Sequence, residues 1–140
     1  MKNINFDDGY KEFSINNDPD RTICFNPSDV AIVERFHKAS GALEKLIAEN
    51  GEKEAGTPED TAEAIKGLDE AIREQIDYIF NQPVSNKVFG NQSPMAPVGG
   101  KMLFERFLEA VIPVITSYMK AEMKASEKRI SKYVSEAQKL

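Results

Sequence analysis

Reactive side chains are few in this chain and poorly grouped. His37 is the only histidine and Cys24 the only cysteine. A nucleophilic thiol needs a base within hydrogen-bond reach to hold it as thiolate, and no motif links these two residues. Cys24 therefore reads as a small packing residue in a strand, on the face opposite Ile23 and Phe25. His37, beside Phe36, reads as a structural histidine, and no second histidine or cysteine stands ready to complete a zinc-type ligand set. Glu105 and Glu109 lie one helical turn apart with Arg106 between them, a spacing that could serve acid–base work. On a helix flank such carboxylates are usually solvated or salt-bridged. Gly99-Gly100-Lys101 precedes a helix, and helix N-termini attract anions. The stretch lacks the spaced glycine and the Ser/Thr of a P-loop, and no parallel strand leads into it, so it reads as a tight turn into a buried helix. These residues predict no catalytic centre, no cofactor and no metal.

The bulk properties are those of one folded domain. The chain has 140 residues, 41% of them hydrophobic and 29% charged, with a net charge of −5. That length suits a single compact unit, and no apolar run is long enough to span a bilayer. The first residues lack the apolar core of a signal peptide, and a lone cysteine fits a reducing cytoplasm. The net charge argues against nucleic acid as a partner of the whole surface. Charge is nonetheless uneven. Residues 120–140 carry six Lys/Arg against three Glu, a local +3, which leaves −8 for the rest. That segment reads either as a solvated helix face or as a basic arm for an acidic partner, another copy of the chain included. Tyr133 is its one aromatic residue, too little interleaving for binding of single-stranded nucleic acid.

Several elements must position these residues. Tyr10–Ile15 and Arg21–Phe25 alternate apolar and polar around Asn16-Asn17-Asp18-Pro19-Asp20, which predicts a β-hairpin. An odd loop puts Phe13 opposite Ile23, with Ile15 on the same face. Ile4 and Phe6 could add a short third strand. Asn26-Pro27-Ser28-Asp29 predicts a helix start, with Phe25 and Val30 at staple spacing. Val30, Val33, Phe36, Ser40, Leu43 and Ile47 follow as its buried stripe, and Glu49-Asn50-Gly51 as its end. Residues 51–56 read as an exposed linker. Thr57-Pro58-Glu59-Asp60 opens a second helix with the stripe Ile65, Leu68, Ile72, Ile76 and Ile79. Its opposite, solvated face carries Glu63, Lys66, Glu70, Arg73, Glu74 and Asp77. The two helices predict an antiparallel αα-hairpin.

Residues 83–100 read as an ordered surface loop. The third helix starts near Lys101 and presents Leu103, Phe104, Phe107, Leu108, Val111, Ile112 and Ile115, the broadest apolar face and the one expected to be most buried. Pro113 should kink it. A helix from 101 to 140 would be about 60 Å long, so the last part must fold back or project. Met119, Met123, Ser126, Ile130, Tyr133, Ala137 and Leu140 are spaced 4-3-4-3-4-3, the interval of a coiled-coil seam.

Three stretches carry a family resemblance: Ile4-Asn5-Phe6-Asp7-Asp8-Gly9-Tyr10, Arg21-Thr22-Ile23-Cys24-Phe25-Asn26-Pro27-Ser28-Asp29, and Phe89-Gly90 through Phe104-Glu105-Arg106-Phe107-Leu108. Together they resemble a family of small phage and prophage proteins of Gram-positive anaerobes, similar to siphophage tail assembly chaperones. The resemblance spans most of the chain apart from residues 50–60 and the last twenty. It implies a non-enzymatic protein that coats the tape measure protein or meets tail tube subunits during assembly, and the expected location is the bacterial host cytoplasm or the virion. It assigns no binding residues.

The resulting expectation is an α+β fold, mostly α. An N-terminal hairpin and a three-helix bundle occupy residues 1–119, and a basic helical extension occupies 120–140. The protein is expected to act in tail assembly as a homo-oligomer, with no nucleic acid and no membrane. Its interaction surface is expected at Phe89, Met95, Val98, Met119, Met123, Ile130 and Tyr133. The alternatives are a virion component, such as a head–tail or tail-terminus protein, and a small ligand-binding protein that uses the 89–101 loop.

Overall fold

A computed structural model describes residues 1–51 and 57–139, excluding the side chain of Tyr133. The expected 51–56 linker, beyond Gly51, and the seam position Leu140 lie outside the described residues. The fold is α+β: an antiparallel two-stranded hairpin followed by helices, the last of them long.

Strand β1 (Lys11–Ile15) pairs with β2 (Asp18–Phe25) through a turn of only two residues. Asn16 and Asn17 both take positive φ, 52° and 62°. Such a mirror-image turn matches the twist of the strands, and asparagine tolerates it. A two-residue loop would by itself set Phe13 and Ile23 on opposite faces. The register shifts between Ser14 and Ile15, where Pro19, Asp20 and Arg21 bulge out of β2, and this restores the pairing of Phe13 with Ile23. Ile23 and Phe25 are buried, while Phe13 and Ile15 pack against the core from its edge. The third strand does not form. Residues 1–10 carry no helix or strand, and Ile4 and Phe6 are exposed.

Helix α1 (Val30–Gly51) starts later than expected. Asn26 does accept from the Ser28 N–H, but it closes a turn over the buried Pro27. The helix proper is capped by Asp29, whose Oδ1 accepts from the Ala31 N–H at 2.9 Å. The inner face is also offset by about one residue from the expected stripe. Ile32, Ala39 and Leu43 are buried, with Phe36 and Ile47 packed beside them, whereas Val30 and Val33 face solvent and no staple forms. Helix α2 (Pro58–Phe80) begins as its sequence predicts, with the Thr57 side chain accepting from the Asp60 N–H and Asn81 closing the far end in the left-handed region. Ile72, Ile76, Ile79 and Phe80 are buried, while Ile65, nearer the open end, is exposed. The two helices pack along each other. Arg35 near the start of α1 donates to the Ile79 carbonyl near the end of α2, which makes the pair antiparallel.

Residues 83–102 fold more tightly than a loop. Helix α3 (Ser85–Phe89) buries Val88 and Phe89, and strands β3 (Pro97–Val98) and β4 (Lys101–Met102) pair across Gly99 and Gly100. Both glycines have positive φ, 60° and 85°, which a side chain would strain. Two polar residues assigned to the solvated face of α2 hold this segment down. Asp77 accepts from the Val84 N–H, the Ser85 N–H and the Ser85 hydroxyl. Arg73, paired with Asp69, also donates to Asn86 Oδ1 and the Gln92 carbonyl, and lies over the Phe89 ring.

Helix α4 (Leu103–Gln138) runs unbroken through Pro113. Phe104, Val111 and Ile115 are buried, but Leu103, Phe107 and Leu108 are only partly so and Ile112 is exposed. The deepest element is instead the C-terminal half of α2, because α1, the hairpin, α3 and α4 all meet there. From Lys120 to Lys139 every described side chain is exposed, so the helix projects and does not fold back.

Candidate functional site

An open groove of about 580 Å³ lies between the hairpin and the first four turns of α4. Its walls come from residues far apart in sequence: Phe13, Ile15 and Ile23 on the hairpin, Phe89 on α3, Phe107 and Val111 on α4. A chain of ring contacts frames it. Tyr118 meets Phe13 edge-on at 6.2 Å, Phe13 stacks on Phe25 at 4.8 Å, and Phe25 meets Phe80 at 5.0 Å. Phe80 then contacts Phe107 at 6.0 Å, and Phe107 contacts Phe89 at 6.1 Å. The geometry suits apolar side chains, since aromatic walls supply large contact area at defined angles.

Two arginines line the groove. Arg21 donates through Nε to the Lys87 carbonyl at 2.8 Å and through its terminal nitrogen to the Val88 carbonyl. It thereby ties the hairpin bulge to α3. Arg106 donates to the carbonyls of Val98 and Gly99. A Cβ at Gly99 would stand 2.5 Å from that guanidinium, a second reason for glycine there. Among the described residues no Asp or Glu lines the groove.

The structure separates the residues weighed for chemistry. Cys24 and His37 are both exposed, so neither is the packing or structural residue expected. Glu109 pairs with Lys101. That hydrogen bond, ahead of the nearby charges, holds the Glu109 carboxyl below its ordinary range. At the Gly99-Gly100-Lys101 turn the N–H groups of Leu103 and Phe104 already donate to the carbonyls of Ala96 and Pro94, at 3.0 and 2.9 Å. The first donors of α4 are thus satisfied within the chain, as helix starts require, and not held out to an anion.

The expected interaction residues divide. Phe89 is a core residue, and Met95 and Met119 pack against the core. Phe89 and Met95 look exposed in sequence because the folding of 83–102 is not periodic, and Met119, the first position of the seam, still falls on the seated part of α4. Val98, Met123 and Ile130 are exposed, and the side chain of Tyr133 lies outside the described residues. Val134, also exposed, joins Met123 and Ile130 on the arm at spacings of seven and four. That position was readable from the same 4-3 interval, which permits either 133 or 134 after 130. The groove, assembled from segments up to about a hundred residues apart, had no local signature.

Phe107 illustrates the difference between apolar and buried. Its ring lines the groove and is only partly covered. Phe107→Ala is expected to cost about 1–3 kcal/mol, below the 3–5 of a fully enclosed ring, measured as the change in denaturant midpoint at constant slope.

No family model, curated protein or solved structure matches this chain. Among the described residues no helix is long and apolar enough to cross a membrane.

Proposed function

We propose that this protein works by binding other protein chains during assembly of a phage tail, and that its projecting C-terminal arm is the principal contact. The observation that carries the binding role is the arm itself. From residue 120 to 139 the described side chains are exposed, and Met123, Ile130 and Val134 stand among them at coiled-coil spacing. Exposed apolar residues at that interval line one side of the helix, where a partner helix can cover them. The arm's local +3 against the −8 of the remaining chain favours an acidic partner surface, including that of another copy. The tape measure protein and tail tube subunits are the partners that the family resemblance implies, and the host cytoplasm, or the virion, is the place.

Truncation after Met119 is expected to leave helical circular dichroism and cooperative melting intact while lowering the mass seen by light scattering. Co-expression with tape measure and tail tube proteins should give a complex with the full chain that the truncated chain does not form. A full chain that is monomeric at high concentration and recovers neither partner overturns this reading.

A further inference from the structure

We propose that the groove between the hairpin and α4 receives residues 4–8 of a second copy of this chain. The donor segment is unusual on its own molecule. Ile4 and Phe6 are 85% and 77% exposed, with no helix or strand to cover them. Two positions apart, they project to the same side when the backbone is extended. Asp7 and Asp8 follow directly, and among the described residues neither has an ion-pair partner.

The groove offers the complement. Its apolar walls have room for two such side chains, and Arg21 and Arg106 line it; among the described residues no carboxylate lines it, the nearest charge effect being that of Arg106 on Glu109 outside the groove. Among the described residues neither guanidinium is ion-paired. On a chain of net charge −5 an acidic segment gains little from the surface as a whole, so two arginines without an ion-pair partner in an apolar groove are a selective target. The segment does not occupy its own groove. The Asn26 side chain donates to the Asp8 carbonyl at 3.3 Å, and Gly9 packs so closely on Asn26 that a Cβ there would lie 2.6 Å from its Nδ2. This pins the segment beside the end of the hairpin where Lys11 pairs with Phe25, with Ile4 and Phe6 turned to solvent. Donor and acceptor are different surfaces, so two copies close as a dimer by reciprocal exchange, or the contact repeats head-to-tail into a ring or filament.

The inference rests on the reading of the protein as one that self-assembles, yet it is separable from the arm, which truncation after Met119 removes without touching residues 4–8 or the groove. Sedimentation velocity over a concentration series tests it on the full chain. The paired change Ile4→Ser and Phe6→Ser should weaken self-association roughly tenfold or more with an unchanged melting temperature. Ala110→Trp, an exposed groove position on α4, should do the same by filling the space. A fluorescent peptide of residues 1–10 should bind the Ile4→Ser/Phe6→Ser protein and fail to bind the Ala110→Trp protein. Association equal to that of the parent chain, or absence of peptide binding, overturns the proposal. So does a lowered melting temperature in the Ile4→Ser/Phe6→Ser protein, which would mean that the segment packs on its own molecule. If arm truncation alone abolishes association, this groove contact falls and the arm reading stands.

Discussion

Ile76→Ala is expected to destabilise the protein by about 2–5 kcal/mol, the cost of deleting a large aliphatic side chain that the fold encloses completely. Ile76 has no accessible surface, and neither have Ile72 and Ile79 one turn to either side. Around them stand Leu43 of α1, Phe25 of the hairpin and Phe104 of α4, all in one buried cluster. A rigid surround of that kind collapses poorly into a cavity. Domains of this size hold on the order of 5–15 kcal/mol in total, so the loss is a large share. The melting temperature should fall by on the order of 10 °C. Ile76→Val, which removes one methyl group, should cost only about 0.5–1.5 kcal/mol. A melting temperature unchanged by the alanine substitution would place Ile76 outside the core.

The second large effect is expected from a residue that sequence reasoning assigns to solvent. Asp77 accepts from the Val84 N–H at 2.8 Å, the Ser85 N–H at 2.7 Å and the Ser85 hydroxyl at 3.2 Å. Val84 and Ser85 are both buried. Asp77→Ala strands those donors away from water, and an orphaned buried donor costs about 1–3 kcal/mol. A total of about 2–4 kcal/mol is expected, with Asp77→Asn milder because its amide oxygen still accepts. Denaturant unfolding measures the total. Hydrogen exchange tests the mechanism, since protection should fail first across residues 84–89, before α1 or α2 opens.

These two residues also mark the limit of what the amino-acid order makes legible. Ile76 belongs to a 3-4 stripe that a single helix must bury, and Thr57-Pro58-Glu59-Asp60 states where that helix begins. Local rules suffice there. The start of α1 was harder because Asn26 and Asp29 are both good caps three residues apart, and the choice between them turns on Pro27 being buried, a tertiary fact. The hairpin pairs Phe13 with Ile23, as an odd loop would, for an indirect reason. Its loop is two residues, and the bulge at Pro19–Arg21 supplies the odd count. Asp77 and Arg73 look like any outward charges on an amphipathic helix until the chain returns to them through α3. Phe89 and Met95 sit in a Pro- and Gly-rich stretch without periodicity, where an apolar residue reads equally as patch or core. The groove could not be read at all, because it exists only where hairpin, α3 and α4 meet.

The unbroken course of α4 has a mechanical consequence. Its first half is seated in the core, Tyr118 makes the last ring contact, against Phe13, and Met119 is the last side chain packed on the core. Beyond it roughly twenty residues extend about 30 Å as one stiff rod. Such a rod is a lever with its fulcrum near Tyr118. A tilt of about 5° at that point moves the far end by roughly 3 Å at that length. The position of the arm's far end is therefore set by how the first half of α4 is seated, through Ile115, Tyr118 and Met119, against the rest of the fold.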